Sequence, residues 1–283
     1  MTRREILLSS AFAAVASAQT NKVRFGVRTP LPEIPLRDRA KLVASLGYDG
    51  IELGQEWLDR PVDELQRSIE GSGVVVSAIV GSIGLLNLDA AKRAEAVELD
   101  RKRLEMARTL GAGFIIEVPV FGRNRFAEQG VPDAWHYEEK LVVEGLRQLT
   151  SDVRRTGVTL LLEPCNHKET HFMNKQSQAA AMIEAVNAPG FQILSDFYHM
   201  QIEEQDIGAT LSQYGHHTGY VHLADGTART EPGSLPFDYR PGFHALKKSG
   251  FHGWLTVECK ATDEPAPALG RALKYLKRQW AEA

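Results

Sequence analysis

The stretch YEEKLVVEGLRQLTSDVRRTGVTLLLEPC, residues 137–165, carries a helical pattern, a glycine, and then an apolar run that ends in a carboxylate. Gly157 stands where a helix needs its C-terminal cap. The run VTLLLEPC (158–165) is nearly continuous in its apolar residues rather than alternating, as in a strand of a parallel sheet buried on both faces. Strand, loop and helix therefore make one unit, and the rest of the chain repeats it.

The other runs are VRFGVR (23–28), YDGIELG (48–54), VVVSAIV (74–80), GFIIEVP (113–119), FQILSDF (191–197), GYVHLAD (219–225) and GWLTVEC (253–259). Helical patterns at 36–47 and 90–111 separate the early ones. In the second, Ala94, Val97, Leu104, Ala107 and Leu110 fall near one stripe. Gly47, Gly111 and Gly250 follow helices as Gly157 does, and Pro61 suits a first helical position. Eight strands alternating with helices predict an α/β fold, a single-domain (β/α)8 or TIM barrel over residues 19–283. A doubly wound open sheet is the alternative, but no G-x-G-x-x-G follows the first strand, and no linker marks a second domain.

Residues 1–18, MTRREILLSSAFAAVASA, read as a cleavable signal peptide. Arg3 and Arg4 form a positive start, Ile6 to Ala16 an apolar run too short to span a bilayer, and Ala16-Ser17-Ala18 a cleavage site. The twin-arginine-like start predicts export, with the periplasm as destination. No later window has the roughly 20 unbroken apolar residues of a membrane helix.

The 283 residues hold 33 Lys+Arg against 36 Asp+Glu, a formal charge of −3, with two cysteines. That balance excludes a basic nucleic-acid-coating protein, and the cysteine count excludes a disulfide scaffold or a thiolate zinc module. Cys165 and Cys259 fall on the fifth and eighth runs, which are not neighbours in a barrel, so both are expected as free buried thiols.

In such a barrel, function collects where strands end. The last four runs end in Glu163, Asp196, His222 and Glu258, spaced by about one strand–helix unit each, so one rim receives them all. Ionised carboxylates at the mouth of an apolar barrel are costly unless paired or bound to a cation. Three carboxylates and one imidazole favour Mn²⁺, Mg²⁺ or Co²⁺ over a thiolate-type zinc site, with Zn²⁺ still admissible.

The set Glu163-Pro164, Asp196-x-x-His199, His222-x-x-Asp225 and Val257-Glu258 resembles the xylose isomerase-like (β/α)8 superfamily, and within it the hydroxypyruvate isomerases and ketose 3-epimerases. The resemblance covers the mature chain and is densest from residue 158 onward. One departure is Leu235, where a second glycine is usual. The resemblance implies one divalent ion held by Glu163, Asp196, His222 and Glu258. It also implies a metal-dependent isomerase or epimerase acting on a small sugar or hydroxy-keto acid, with proton transfer through an enediolate. Glu163 and Glu258 would be the catalytic carboxylates, one on each face of the planar intermediate. It places substrate oxygens against His199, Arg229 and Glu169, although the spacing from His222 to Arg229 is one residue longer than usual. Outer helices of such barrels often pair into homo-oligomers, but no interface signature stands out.

Other residues carry weaker expectations. Glu52 and Glu117 end strands and can reach a substrate or form salt bridges, and Arg28 can meet an anionic group. His167 and His171 lie in the loop after the fifth strand, either lining the site or on the surface. His216 and His217 precede the seventh strand on the stability face. Loop 120–136, with Phe121, Phe126 and Trp135, is expected to cover the site as a lid.

Three other readings compete. An inosose dehydratase-like lyase shares the barrel, the metal site and the first proton abstraction, then expels a β-hydroxyl. A type-IV abasic-site endonuclease needs extra histidines that SAIVGS, IIEVPV and HLADGT do not offer. A non-catalytic sugar-binding barrel leaves the two carboxylates without a role.

Overall fold

The computed structural model describes residues 22–283, so the predicted signal peptide, residues 1–18, lies outside the described residues. Eight parallel strands close into a barrel in sequence order: β1 Arg24–Thr29, β2 Gly50–Leu53, β3 Val75–Val80, β4 Phe114–Glu117, β5 Thr159–Leu162, β6 Phe191–Asp196, β7 Thr218–Leu223 and β8 Trp254–Glu258. Strand β8 pairs back on β1, with Gly26 opposite Thr256, and β1 pairs with β2, with Gly26 opposite Gly50. All eight predicted strands are present, and the single-domain barrel is the observed architecture.

Side chains alternate along each strand between two apolar regions. The inner one gathers Ala78, Ile116, Leu161, Leu194, Tyr220 and Trp254 inside the barrel. Trp254 fills the interior because Gly50 faces it: a Cβ at Gly50 would lie 2.5 Å from the indole. The outer region lies between the sheet and helices such as Leu36–Ser45, Ala90–Leu110, Ala134–Thr156 and Pro265–Glu282, which bury Val43, Leu104, Leu146 and Leu276. Two buried faces explain why the strands read as continuous apolar runs.

Gly47, Gly111, Gly157 and Gly250 all adopt left-handed φ at helix ends, as expected. Pro61 stands one residue earlier than expected, as the N-cap of the helix Val62–Ile69. The stripe on Ala90–Leu110 is also corrected. Ala94 is exposed and Ala96 is buried in its place, and the face includes the polar Asp100 and Arg103.

Candidate active site

The period of two that fills the barrel also builds the site. Leu161, Leu194 and Tyr220 point inward, so Glu163, Asp196 and His222, each two residues further on, point inward at the rim. On β8, Trp254 and Glu258 are in the same phase. One ligand atom from each of Glu163, Asp196, His222 and Glu258 lies within 4.8 Å of all the others. The first three are buried, and all but Asp196 line a cavity of about 210 Å³ at the C-terminal mouth of the barrel.

Hydrogen bonds orient the imidazoles. His222 Nε2 lies 2.7 Å from Glu52 Oε2, and both side chains are buried, so Nε2 donates and the lone pair belongs to Nδ1. Nδ1 is 2.8 Å from Glu258 Oε2 and 3.7 Å from Glu163 Oε1, yet it makes no hydrogen bond. A buried nitrogen lone pair aimed at three carboxylates is a donor set for a cation. His199 is oriented the other way. Its Nδ1 accepts the Asn166 backbone N–H at 3.1 Å, so Nε2 carries the proton and faces Asp196 Oδ2 at 3.4 Å. The neighbouring group Glu163, Cys165 and His199 therefore lacks a free imidazole lone pair, and the four-residue group is the better cation site.

Two guanidiniums share the cavity. Arg229 Nη2 lies 2.7 Å from Glu258 Oε2 and 3.1 Å from Asp196 Oδ2, and its guanidinium carbon sits 4.5 Å over the Tyr198 ring. Arg28 Nε lies 3.2 Å from Glu52 and 3.4 Å from Glu258. Burial opposes ionisation of Glu258, but His222, Arg229 and Arg28 outweigh it and hold its carboxyl well below the usual range. Asp196 is pushed up by its burial. Burial also opposes a charge on His222, yet Glu52, Glu258 and Glu163 raise its pKa well above the ordinary value, so a cation at Nδ1 would take the place of a proton there.

Glu169 lines the same cavity, 3.9 Å from Arg229 Nη1, as do His199 and Arg229 themselves. Of the residues expected to hold metal or substrate, all but Asp196 thus line one cavity. Arg28 and Glu52 reach it as well, but Glu117 does not: it turns outward to Ser82 and Asp100 beneath the β3 loop. Of the predicted lid only Phe121 faces the cavity. Phe126 is buried against Tyr137, and Trp135 packs on Phe172 with ring centroids 4.5 Å apart. His167 pairs with Glu203 at the surface, and His217 with Glu184 outside the cavity. Leu235 has ordinary backbone geometry and donates its amide to Asp225, so no glycine is needed there. Cys165 and Cys259 are free and buried. Among the described residues no helix is long and apolar enough to cross a membrane. Sequence reasoning missed the apolar wall of the cavity, formed by Val80, Ile83, Ile116 and Val118.

Comparison with known proteins places this geometry. The 3-dehydro-D-guloside 4-epimerase of Escherichia coli K12 is 26% identical over 245 residues, covering 85% of this chain and 93% of that protein. The L-ribulose 3-epimerase of Mesorhizobium japonicum is 25% identical over 240 residues, covering 83% and 79%. The crystal structure of the apo 3-keto-D-glucoside 4-epimerase from E. coli superposes with a TM-score of 0.81 at 26% identity, covering 91% of this chain and all of that one. The model of the xylose isomerase-like TIM barrel family matches residues 40–279, and the chain belongs to that family.

Proposed function

We propose that this protein is a divalent-metal-dependent sugar isomerase or epimerase that moves a proton on a carbon next to a carbonyl. The observation that carries the reading is the convergence of Glu163, Asp196, His222 and Glu258 on one point beside the cavity. The similarity to sugar epimerases over most of the chain supports the substrate class.

Each carboxylate of the group needs only one oxygen for a cation. The second oxygens of Glu163, one residue past β5, and of Glu258, at the end of β8, would then be left to act on a substrate. One removes the proton and the other returns it, which yields an isomer or an epimer according to the carbon that receives it. His199 Nε2–H and the Arg229 guanidinium donate to substrate oxygens, and Glu169 accepts from a hydroxyl. A divalent cation bound by the four residues would offset the negative charge that develops on the substrate oxygens, an effect of several kcal/mol. The oxygen-rich set favours Mn²⁺, Mg²⁺ or Co²⁺, with Zn²⁺ admissible. Arg28 already faces two carboxylates and Arg229 three, and no lysine lines the cavity. This supports a neutral sugar over a phosphorylated one or a hydroxy-keto acid. We read the chain as exported after cleavage behind Ala18, which the mass of the mature protein tests directly.

The functional test is deuterium uptake from D₂O into a panel of ketoses, aldoses and hydroxypyruvate, with Mn²⁺ or Mg²⁺ added. Deuterium retained next to a carbonyl, and abolished by a chelator, is the expected result. Loss of one water would assign the dehydratase chemistry instead. No exchange anywhere in the panel by a metal-loaded protein would count against the reading.

A further inference from the structure

The loops after β4 and β5 contribute, among other side chains, Phe121 and Glu169 to the cavity wall. They are stitched together by backbone: Gly122 N–H donates to the Glu169 carbonyl at 2.7 Å, and His171 N–H donates to the Gly122 carbonyl at 2.9 Å. The His171 ring closes the same seam. Its Nδ1 lies 3.0 Å from the Gly122 carbonyl oxygen and its Nε2 2.8 Å from Glu138 Oε1. Glu138 is buried in the helix Ala134–Thr156, and its other oxygen accepts from Asn124 Nδ2 at 2.9 Å. One carboxylate thus ties down both ends of the seam.

Both atoms that face the ring are acceptors. A neutral imidazole has a single N–H and satisfies only one of them, whereas an imidazolium satisfies both. We propose that His171 is a positioning residue that works as an imidazolium, clamping the Phe121 loop to the Glu169 loop and so setting the wall of the site. The significance of that wall rests on reading the cavity as the substrate site; the clamp itself does not. The charged groups facing the ring are Glu138, from the helix Ala134–Thr156, and Arg125, from the short helix Arg125–Glu128. Burial works against the charge on His171, but the Glu138 hydrogen bond, the Gly122 carbonyl and the Glu138 charge outweigh burial and Arg125 together. They hold the pKa above its ordinary 6.5. A histidine raised in this way contributes fully below its unfolded pKa and is lost as pH rises through the folded value. The clamp is therefore complete in mild acid and opens on the alkaline side.

The test needs no substrate. Imidazole nitrogen–proton correlation spectra of the full chain, assigned with His171→Asn, should show both His171 nitrogens protonated at pH 6.5. Amide exchange, corrected for intrinsic rate, should show Gly122 and His171 losing protection by about tenfold or more as pH rises through the His171 midpoint, with the barrel strands unchanged. Glu138→Gln should lower that midpoint and move the loss of protection with it. A His171 that titrates at or below the ordinary value, or seam amides indifferent to pH, overturns the proposal. If Glu138→Gln does not fold, the wild-type titration decides alone. Neither readout depends on turnover, so an inactive protein with an intact clamp counts against the functional reading and not against this one.

Discussion

Glu52→Gln removes the negative charge behind His222 while keeping the size of the side chain. In the structure Glu52 Oε2 accepts a hydrogen bond from His222 Nε2–H at 2.7 Å inside the barrel mouth, which leaves Nδ1 facing Glu163 and Glu258. A hydrogen bond to a charged partner is worth about 1.5–3 kcal/mol. Loss of such an outer partner typically costs a metal site about 10–100-fold in affinity, or roughly 1.4–2.7 kcal/mol. The two estimates agree, so Mn²⁺ affinity should fall by about one to two decades with stoichiometry unchanged at one. Arg28 keeps Glu258 as a partner, and the barrel should stay folded. Titration calorimetry with Mn²⁺ on the wild type, Glu52→Gln and Glu52→Asp, with a thermal melt of each, measures this. Glu52→Asp keeps the charge but retracts the acceptor, so it should weaken binding too. Unchanged affinity in Glu52→Gln would refute the orienting role, and wild-type affinity in Glu52→Asp would reduce that role to charge alone.

The outward carboxyls supply a stability prediction. Burial pushes the Asp100 carboxyl up to about 7, against the pull of Ser82 and Arg103, and raises that of Glu117 well above its ordinary value. Folded-state pKa values above the unfolded ones mean that the folded chain keeps a proton the unfolded chain releases, so this site loses stability from about pH 4 to about pH 7. The melting temperature of Asp100→Asn relative to wild type should therefore climb by the equivalent of a few kcal/mol over that window; a difference independent of pH would contradict it. Both thiols are buried, and burial followed by nearby carboxylates pushes them up. Ellman's reagent should find neither in the native protein and both in guanidinium; none in denaturant would mean a disulfide.

Much of this site was legible because the barrel repeats. Glu163, Asp196, His222 and Glu258 each end an apolar run, and a strand's period of two carries the inward phase of Leu161, Leu194, Tyr220 and Trp254 to them. The same phase separates Glu52 from Glu117, which looked equivalent as strand-end carboxylates. Ile116 points inward beside the cavity, so Glu117 must point out. What stayed hidden depends on contacts across the barrel. His222 and Glu52 are 170 residues apart, and nothing local to either announces the pair. The predicted lid failed for a related reason. Phe126 and Trp135 could have covered the mouth or filled the shell, and only the docking of the helix Ala134–Thr156, which sets Trp135 on Phe172 and Tyr137 on Phe126, decides for the shell.

The most direct test of the two-carboxylate account is deuterium exchange into the identified substrate by Glu163→Gln and Glu258→Gln, with metal content measured on the same samples. Glutamine keeps an oxygen for the cation but cannot take a proton. Each variant should therefore hold metal and lose about a hundredfold or more in exchange rate, while His216→Ala, outside the cavity, exchanges as wild type. Wild-type exchange by either metal-loaded glutamine variant would contradict the account.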